Sequence, residues 1–203
     1  MNRRDLLALG ALSPLLGLAW PAAAAPVNRT QLSNYLNSLQ RAEGRFRQTN
    51  PDGSRSSGRF LLAKPGRIRF EYDGQPKALV VADGVSIGVI DAKSNTGAQR
   101  YPLRSSPLSV LLRNNVNLNS SALVRSFGSN DQRTRITLVD PSSREIGSIT
   151  MLFRNDPLLL DGWIIRDKAG KETQISLTEV RIGGQIDMGL FNIDLAARNY
   201  QKG

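Results

Sequence analysis

Between Gly58 and Asp91 the chain reads GRFLLAKPGRIRFEYDGQPKALVVADGVSIGVID, four short runs divided by turn residues. In the second run Ile68, Phe70 and Tyr72 fall on one side of a pleated strand while Arg67, Arg69 and Glu71 fall on the other, the pattern of a half-buried strand. Before it, Phe60 and Leu62 share a parity with Lys64, and Pro65-Gly66 supplies a preset φ followed by a residue tolerant of positive φ, a tight hairpin corner. Gly74 to Pro76 breaks the pattern, Lys77 to Ala82 resumes it, and Asp83-Gly84 is a strong hairpin dipeptide ahead of Ser86 to Asp91. An antiparallel meander is the fold this stretch allows.

The first residues, MNRRDLLALGALSPLLGLAWPAAAAP, combine a charged start, an apolar run from about Leu6 to Trp20 and a small-residue site at Ala23-Ala24-Ala25. They read as a cleaved export signal over residues 1–25, because the run is shorter than the ~20 residues a membrane span needs and is interrupted by Pro14 and Pro21. Arg3-Arg4 before Asp5-Leu6-Leu7 resembles a twin-arginine signal, and the choice between that route and the general one stays open. Residues 26–203 are then expected to form a single domain, large enough to bury a core without staples.

The chain has no Cys and no His. Disulfides, thiolate catalysis and Cys metal sites are therefore unavailable, and the usual general base and the commonest metal ligand are missing. Neither a metal nor another cofactor is expected. The net charge is +10, and setting aside Arg3, Arg4 and Asp5 leaves 25 basic against 16 acidic residues, or +9, so the basicity belongs to the folded part. It fits either attraction to anionic surfaces or simple solubility. Aromatic residues are few and not interleaved with the basic ones, which argues against nucleic acid.

Elsewhere the coarse pattern is legible. Leu32, Tyr35, Leu36 and Leu39 sit at helical spacing in a segment from Asn28 to about Arg41, with Asn28 or Thr30 as N-cap. Phe46 points one way on the next strand, Arg45 and Arg47 the other. A short helix is expected over Pro107 to Arg113, capped by Ser105 or Ser106, and a second over Ser120 to Phe127. Strands follow at Thr134 to Val139, Gly147 to Phe153, Leu158 to Asp167 and Glu172 to Ile182. In the last of these the apolar parity switches between Leu177 and Val180, which predicts a bulge near Thr178.

Phe46-Arg47-Gln48, Ser57 to Phe60, Lys64 to Tyr72 and Val80 to Gly84, with Ser106-Pro107-Leu108 and Leu111-Leu112 downstream, resemble the periplasmic outer-membrane lipoprotein carrier family. Leu190-Phe191 resembles that family's C-terminal strand. The resemblance implies a mainly β fold: a curved, incomplete antiparallel barrel, or half-barrel, with a helical lid over a hydrophobic cavity. It also implies a monomeric periplasmic carrier that performs no covalent chemistry. Such a carrier takes acylated lipoproteins from an ATP-driven release complex in the inner membrane and passes them to an outer-membrane receptor.

Exposed acyl chains cost about 0.8 kcal/mol per CH₂ in water, so such a carrier needs a continuous apolar wall. The expected wall residues are Phe46, Phe60, Leu62, Ile68, Phe70, Tyr72, Val80, Ile87, Val89, Met151 and Trp163, with Leu108, Leu111 and Leu112 from the covering helix. Periodicity alone fits an ordinary closed core equally well. Lys64 stands where the family commonly has an Arg tied to closing of the lid. It keeps the charge and loses the planar fork, or else it is a solvated turn lysine.

Arg45, Arg47, Arg67 and Arg69 are expected on the convex side as a basic docking surface. Competing readings are a carrier or sensor of another lipid or glycolipid, and a glycosidase using Glu71 and Asp83. Asp83 is better explained by its turn.

Overall fold

The computed structural model describes residues 26–74, 78–91, 97–120, 122–142 and 144–200. The export signal expected over residues 1–25, and residues 75–77 and 92–96 of the two connections around Ala78 to Asp91, lie outside the described residues.

Helix α1 (Arg29–Ser38) opens the described chain, and eleven strands follow: β1 (Arg41–Thr49), β2 (Arg55–Ala63), β3 (Arg67–Tyr72), β4 (Ala78–Asp83), β5 (Ser86–Asp91), β6 (Gln99–Pro102), β7 (Val124–Ser129), β8 (Arg133–Leu138), β9 (Ser148–Asn155), β10 (Leu158–Arg166) and β11 (Glu172–Ile182). The short helix α2 (Leu108–Leu111) lies between β6 and β7, and α3 (Ile193–Tyr200) closes the chain after a 3-10 turn, Met188–Phe191. The strands form one sheet in the order β6-β5-β4-β3-β2-β1-β11-β10-β9-β8-β7. Every described pairing is antiparallel. The fold is therefore mainly β, an open, curled sheet with helices against it, as the sequence predicts.

The four runs of the opening stretch are β2 to β5 in consecutive register. Their corners also meet: a Cβ on Gly66, whose φ is +75°, would lie 2.6 Å from the Cα of Gly84, so two hairpin turns touch where only glycine fits. The bulge predicted near Thr178 is present. Arg45 pairs with Thr178 but Glu43 with Arg181, and Glu179 takes a φ of 54° opposite Gly44. A Cβ on Gly44 would stand 2.8 Å from the Thr178 carbonyl oxygen, so glycine lets the bulged strand press against β1.

Two local expectations fail. The helix expected over Ser120 to Phe127 is instead strand β7 from Val124 onward. The Asn130 side chain accepts from the backbone of Gln132 and Arg133 and so builds the turn that folds this segment onto β8. The strand expected at Leu190-Phe191 is a 3-10 turn. Strand β11 is already paired to β1 and β10, so no free edge beside it remains. The C-terminal segment crosses the convex face of β3 to β5.

That crossing builds a second core. Leu61, Ala63, Leu79, Val81 and Ile90 point outward and are buried by Phe191, Ile193, Ala196 and Ala197. Arg69 is consequently not part of an exposed basic surface. It is 7% exposed, with its guanidinium donating to the Leu190 carbonyl at 2.8 Å and to Glu71 at 2.7 Å. Arg67 is half-buried, Arg45 pairs with Asp73, and Arg47 is exposed. The continuous apolar runs Leu61-Leu62-Ala63 and Ala78 to Ala82 carried the signal for burial on both faces.

Candidate functional site

The concave face and its lid form the main core. Phe46 on β1, Phe60 and Leu62 on β2, Ile68 and Phe70 on β3, Met151 on β9 and Trp163 on β10 are all at most 6% exposed and belong to one cluster. Tyr72, Val80 and Ile87 are half-buried against it. Val89 shares their face but is 36% exposed, outside the cluster.

The rings interlock edge to face: Phe46 with Phe70 at 5.0 Å and with Tyr72 at 5.1 Å, and Phe70 with Trp163 at 6.2 Å. The Tyr72 hydroxyl donates to Gln48 at 2.7 Å, and burial pushes its pKa up.

The lid has two parts. Helix α1 begins with a capping box in which the Asn28 side chain accepts from the Gln31 amide and the Gln31 side chain accepts from the Asn28 amide. Its spacing turns Leu32 and Leu36, both fully buried, to the sheet. The second part comprises residues 103–120 and 122–123 and includes α2, next to which Leu112 lies, and Leu108, Leu111 and Leu112 are buried as expected. The Ser106 hydroxyl accepts from the Leu108 amide at 3.2 Å, and Pro107 is already helical.

Polar bonds tie the two parts together. Asn37 exchanges two hydrogen bonds with the Val116 backbone, at 2.8 and 3.2 Å, and the Leu118 amide donates to Ser33 at 3.0 Å.

Polar contacts pin this lid to the sheet, among them the Leu103 amide to the Val85 carbonyl at 2.9 Å and the Val139 amide to the Leu123 carbonyl at 3.0 Å. The Lys64 ammonium donates to the Leu36 carbonyl at 2.7 Å, the Gly66 amide to the Leu112 carbonyl at 2.9 Å and the Leu160 amide to the Tyr35 hydroxyl at 2.9 Å. Arg113 pairs with Asp140. Lys64 continues the parity of Phe60 and Leu62, so its side chain runs beneath the lid and not into solvent. It is 8% exposed and reaches one of the carbonyls that the last turn of α1 leaves free, where a cation also complements the helix dipole. Among the described residues no carboxylate lies within ion-pair distance of it. Burial pushes its pKa down to about 8. The reading of Lys64 as a solvated turn residue does not hold.

The interior expected as a cavity is filled in this conformation by lid side chains. Leu32, Leu36, Leu111 and Leu118 are inserted among the wall residues and are 0% exposed. Beside the pinned corner an open groove of about 610 Å³ runs between Pro65, Gly66, Val85 and the lid residues Leu103, Ser109 and Leu112. Further wall residues are Leu160 on β10, Ile175 on β11, and Ile136, Leu138, Ile149 and Phe153, whose alternation on β8 and β9 marks them in the sequence.

The two carboxylates considered for a glycosidase have structural partners. Asp83 accepts from the amides of Val85 and Ser86, both at 2.8 Å, and Glu71 is held by Arg69. Among the described residues no group of three or more Asp and Glu could hold a metal.

An open antiparallel sheet curls around an apolar face, and a helical cover closes over that face. Residues 37–194 match the family of outer membrane lipoprotein carrier protein LolA, and the chain belongs to that family. It is 30% identical over 171 residues, 81% of each chain, to an outer-membrane lipoprotein carrier protein of Chromobacterium violaceum. It is 25% identical over 185 residues, 88% of each chain, to one from Methylococcus capsulatus. Among solved structures, a LolA superfamily protein from Nitrosomonas europaea superposes with a TM-score of 0.41 at 11% identity, over 82% of this chain and 98% of that one. The family assignment rests on the sequence matches.

Proposed function

We propose that the protein is a monomeric periplasmic carrier that encloses the acyl chains of lipoproteins between the curled sheet and its lid and moves them from the inner to the outer membrane. The observation that carries this reading is the lid itself. An apolar concave face is covered by side chains from two segments, whose polar ties to the sheet include those at Lys64, Gly66, Tyr35 and Arg113.

Acyl chains entering this space would replace Leu32, Leu36, Leu111 and Leu118 as the partners of Phe46, Phe60 and Trp163. Opening bares apolar surface and cargo covers it again, at about 25 cal/mol per Å² in each direction, so the two terms offset one another. Loading and release then run down affinity differences. An ATP-driven release complex in the inner membrane would supply the cargo, and a receptor at the outer membrane would take it. The groove beside Pro65 and Leu112 gives an approach to the lid edge without crossing the sheet. Membership of the LolA family supports the same cargo.

Purification of the protein from the periplasm, with an apolar fluorescent probe as competitor, tests the reading. Copurifying lipoprotein that displaces the probe is the expected result. Free lipid without lipoprotein would point to a lipid-transfer role, and binding of neither would sink the carrier reading.

A further inference from the structure

We propose that the convex face of β7 to β10 carries a second site, a pocket for the phosphate of an anionic phospholipid. It lies on the opposite side of the sheet from the lid. On β8 and β9 alternation turns Ile136, Ile149 and Met151 inward and leaves Thr137, Ser148 and Thr150 outward. Thr137 and Thr150 are register partners with hydroxyls 3.0 Å apart, and Ser126 of β7 stands opposite Thr137. Arg125, Arg135 and Arg166 rise around this floor of small hydroxyls and enclose a groove of about 360 Å³.

The charge balance within the groove is uneven. Glu172 on its rim takes both donors of one edge of Arg166, which neutralises that cation. Arg125 and Arg135 have no carboxylate partner among the described residues. Two unneutralised guanidinium forks over several hydroxyls make a set rich in donors. A tetrahedral phosphate, whose oxygens all accept, satisfies such a set better than a neutral sugar, which would leave both charges uncompensated. Ser148 and Thr150 are each 8% exposed, so part of the desolvation that binding requires is already met by the fold.

A second groove, of about 440 Å³, adjoins the first and shares Arg135 with it. Its floor is Gly128 and Leu152, which lie opposite Arg135 on either neighbouring strand. A Cβ on Gly128 would meet nothing within 4 Å, so this floor is open. A phosphate in the first groove with its attached glycerol and first methylenes over Gly128 and Leu152 would use both halves. Inorganic phosphate would use one. The adjoining apolar floor is the reason to assign a lipid and not a free anion.

The test is flotation of the full chain with vesicles of phosphatidylcholine, plain or doped with phosphatidylglycerol, at about 0.1 M salt, where charges beyond about 10 Å are screened. Arg125→Glu with Arg135→Glu is expected to weaken binding to the doped vesicles more than about tenfold, given the pull of each basic residue near an anionic surface. Arg47→Glu with Arg55→Glu, the same charge change on β1 and β2, is expected to change it less than about threefold. Gly128→Phe, checked for native fold by circular dichroism, is expected to weaken vesicle binding while leaving inorganic phosphate binding intact.

Equal losses from the two double variants would overturn the site in favour of diffuse basicity. Indifference to Gly128→Phe, or full displacement from vesicles by inorganic phosphate at constant ionic strength, would overturn the lipid assignment.

Discussion

The ring of Phe70 on β3 and the indole of Trp163 on β10 lie 6.2 Å apart, although β2, β1 and β11 stand between their strands in the sheet. On a flat sheet four steps of about 4.8 Å would separate those strands by about 19 Å. The contact therefore measures the curl directly, and it bridges the interior at its narrowest aromatic point. Trp163 is the only tryptophan of residues 26–203, so tryptophan emission from that part reports on its surroundings. Its emission is expected to shift when an apolar probe or cargo enters, and a loaded protein with unchanged Trp163 emission would place the ligand elsewhere. Trp163→Ala is expected to cost about 3 to 5 kcal/mol in chemical denaturation.

Lys64 holds the lid through one charge-assisted bond while carrying a buried, unpaired charge. Replacing a buried ionic group by an apolar one of similar size is often neutral or stabilising by about 1 to 4 kcal/mol. Lys64→Met is therefore expected to keep or raise the melting temperature and to slow uptake of an apolar probe. Lys64→Ala, which frees the same Leu36 carbonyl as Lys64→Met and adds a void, is expected to lower the melting temperature and speed uptake. Thermal melts and stopped-flow probe binding separate the two variants.

The same residue sets a pH dependence. With the lid closed Lys64 titrates near 8, and in an open or unfolded chain near its ordinary 10.5. Between these values the open form binds more protons, so the closed form gains stability as pH rises from about 8 to 10.5, by at most about 3 kcal/mol. Burial pushes the Tyr35 and Tyr72 hydroxyls up from their ordinary value, so with the lid closed they titrate above it. Probe uptake is expected to fall between pH 8 and 10, and Lys64→Met to flatten the profile. A profile identical in the variant would remove Lys64 from the lid.

The C-terminal cover is open to a test of packing. A Cβ on Gly88 would come within 2.5 Å of the Ile193 side chain. Gly88→Val is expected to lift α3 from β4 and β5 and to expose Leu79, Val81 and Ile90. Faster proteolysis between Gly183 and Asn192, with the lid contacts unchanged by hydrogen exchange, is the expected outcome.

Much of this was legible before the fold was seen, wherever local chemistry decides the structure. Pro65-Gly66 and Asp83-Gly84 fix their corners, and the parity of Ile68, Phe70 and Tyr72 fixes which face is apolar. The parity switch after Leu177 announces the bulge opposite Gly44. What escaped depends on partners distant in sequence. Nothing near Lys64 tells that its ammonium meets a carbonyl of α1, and nothing near Arg69 tells that Leu190 returns to cover it. Val124 to Ser129 became a strand because β8 offered an edge, which local propensity does not register.

The second core under α3 leaves the two halves of the sheet unlike in stiffness. Strands β3 to β5 are clamped between the lid side and the C-terminal helix, whereas β7 to β10 have packing on the inner face and open grooves outside. Any enlargement of the interior then has a direction: the clamped half serves as a fixed anvil, and the half carrying Met151 and Trp163 yields.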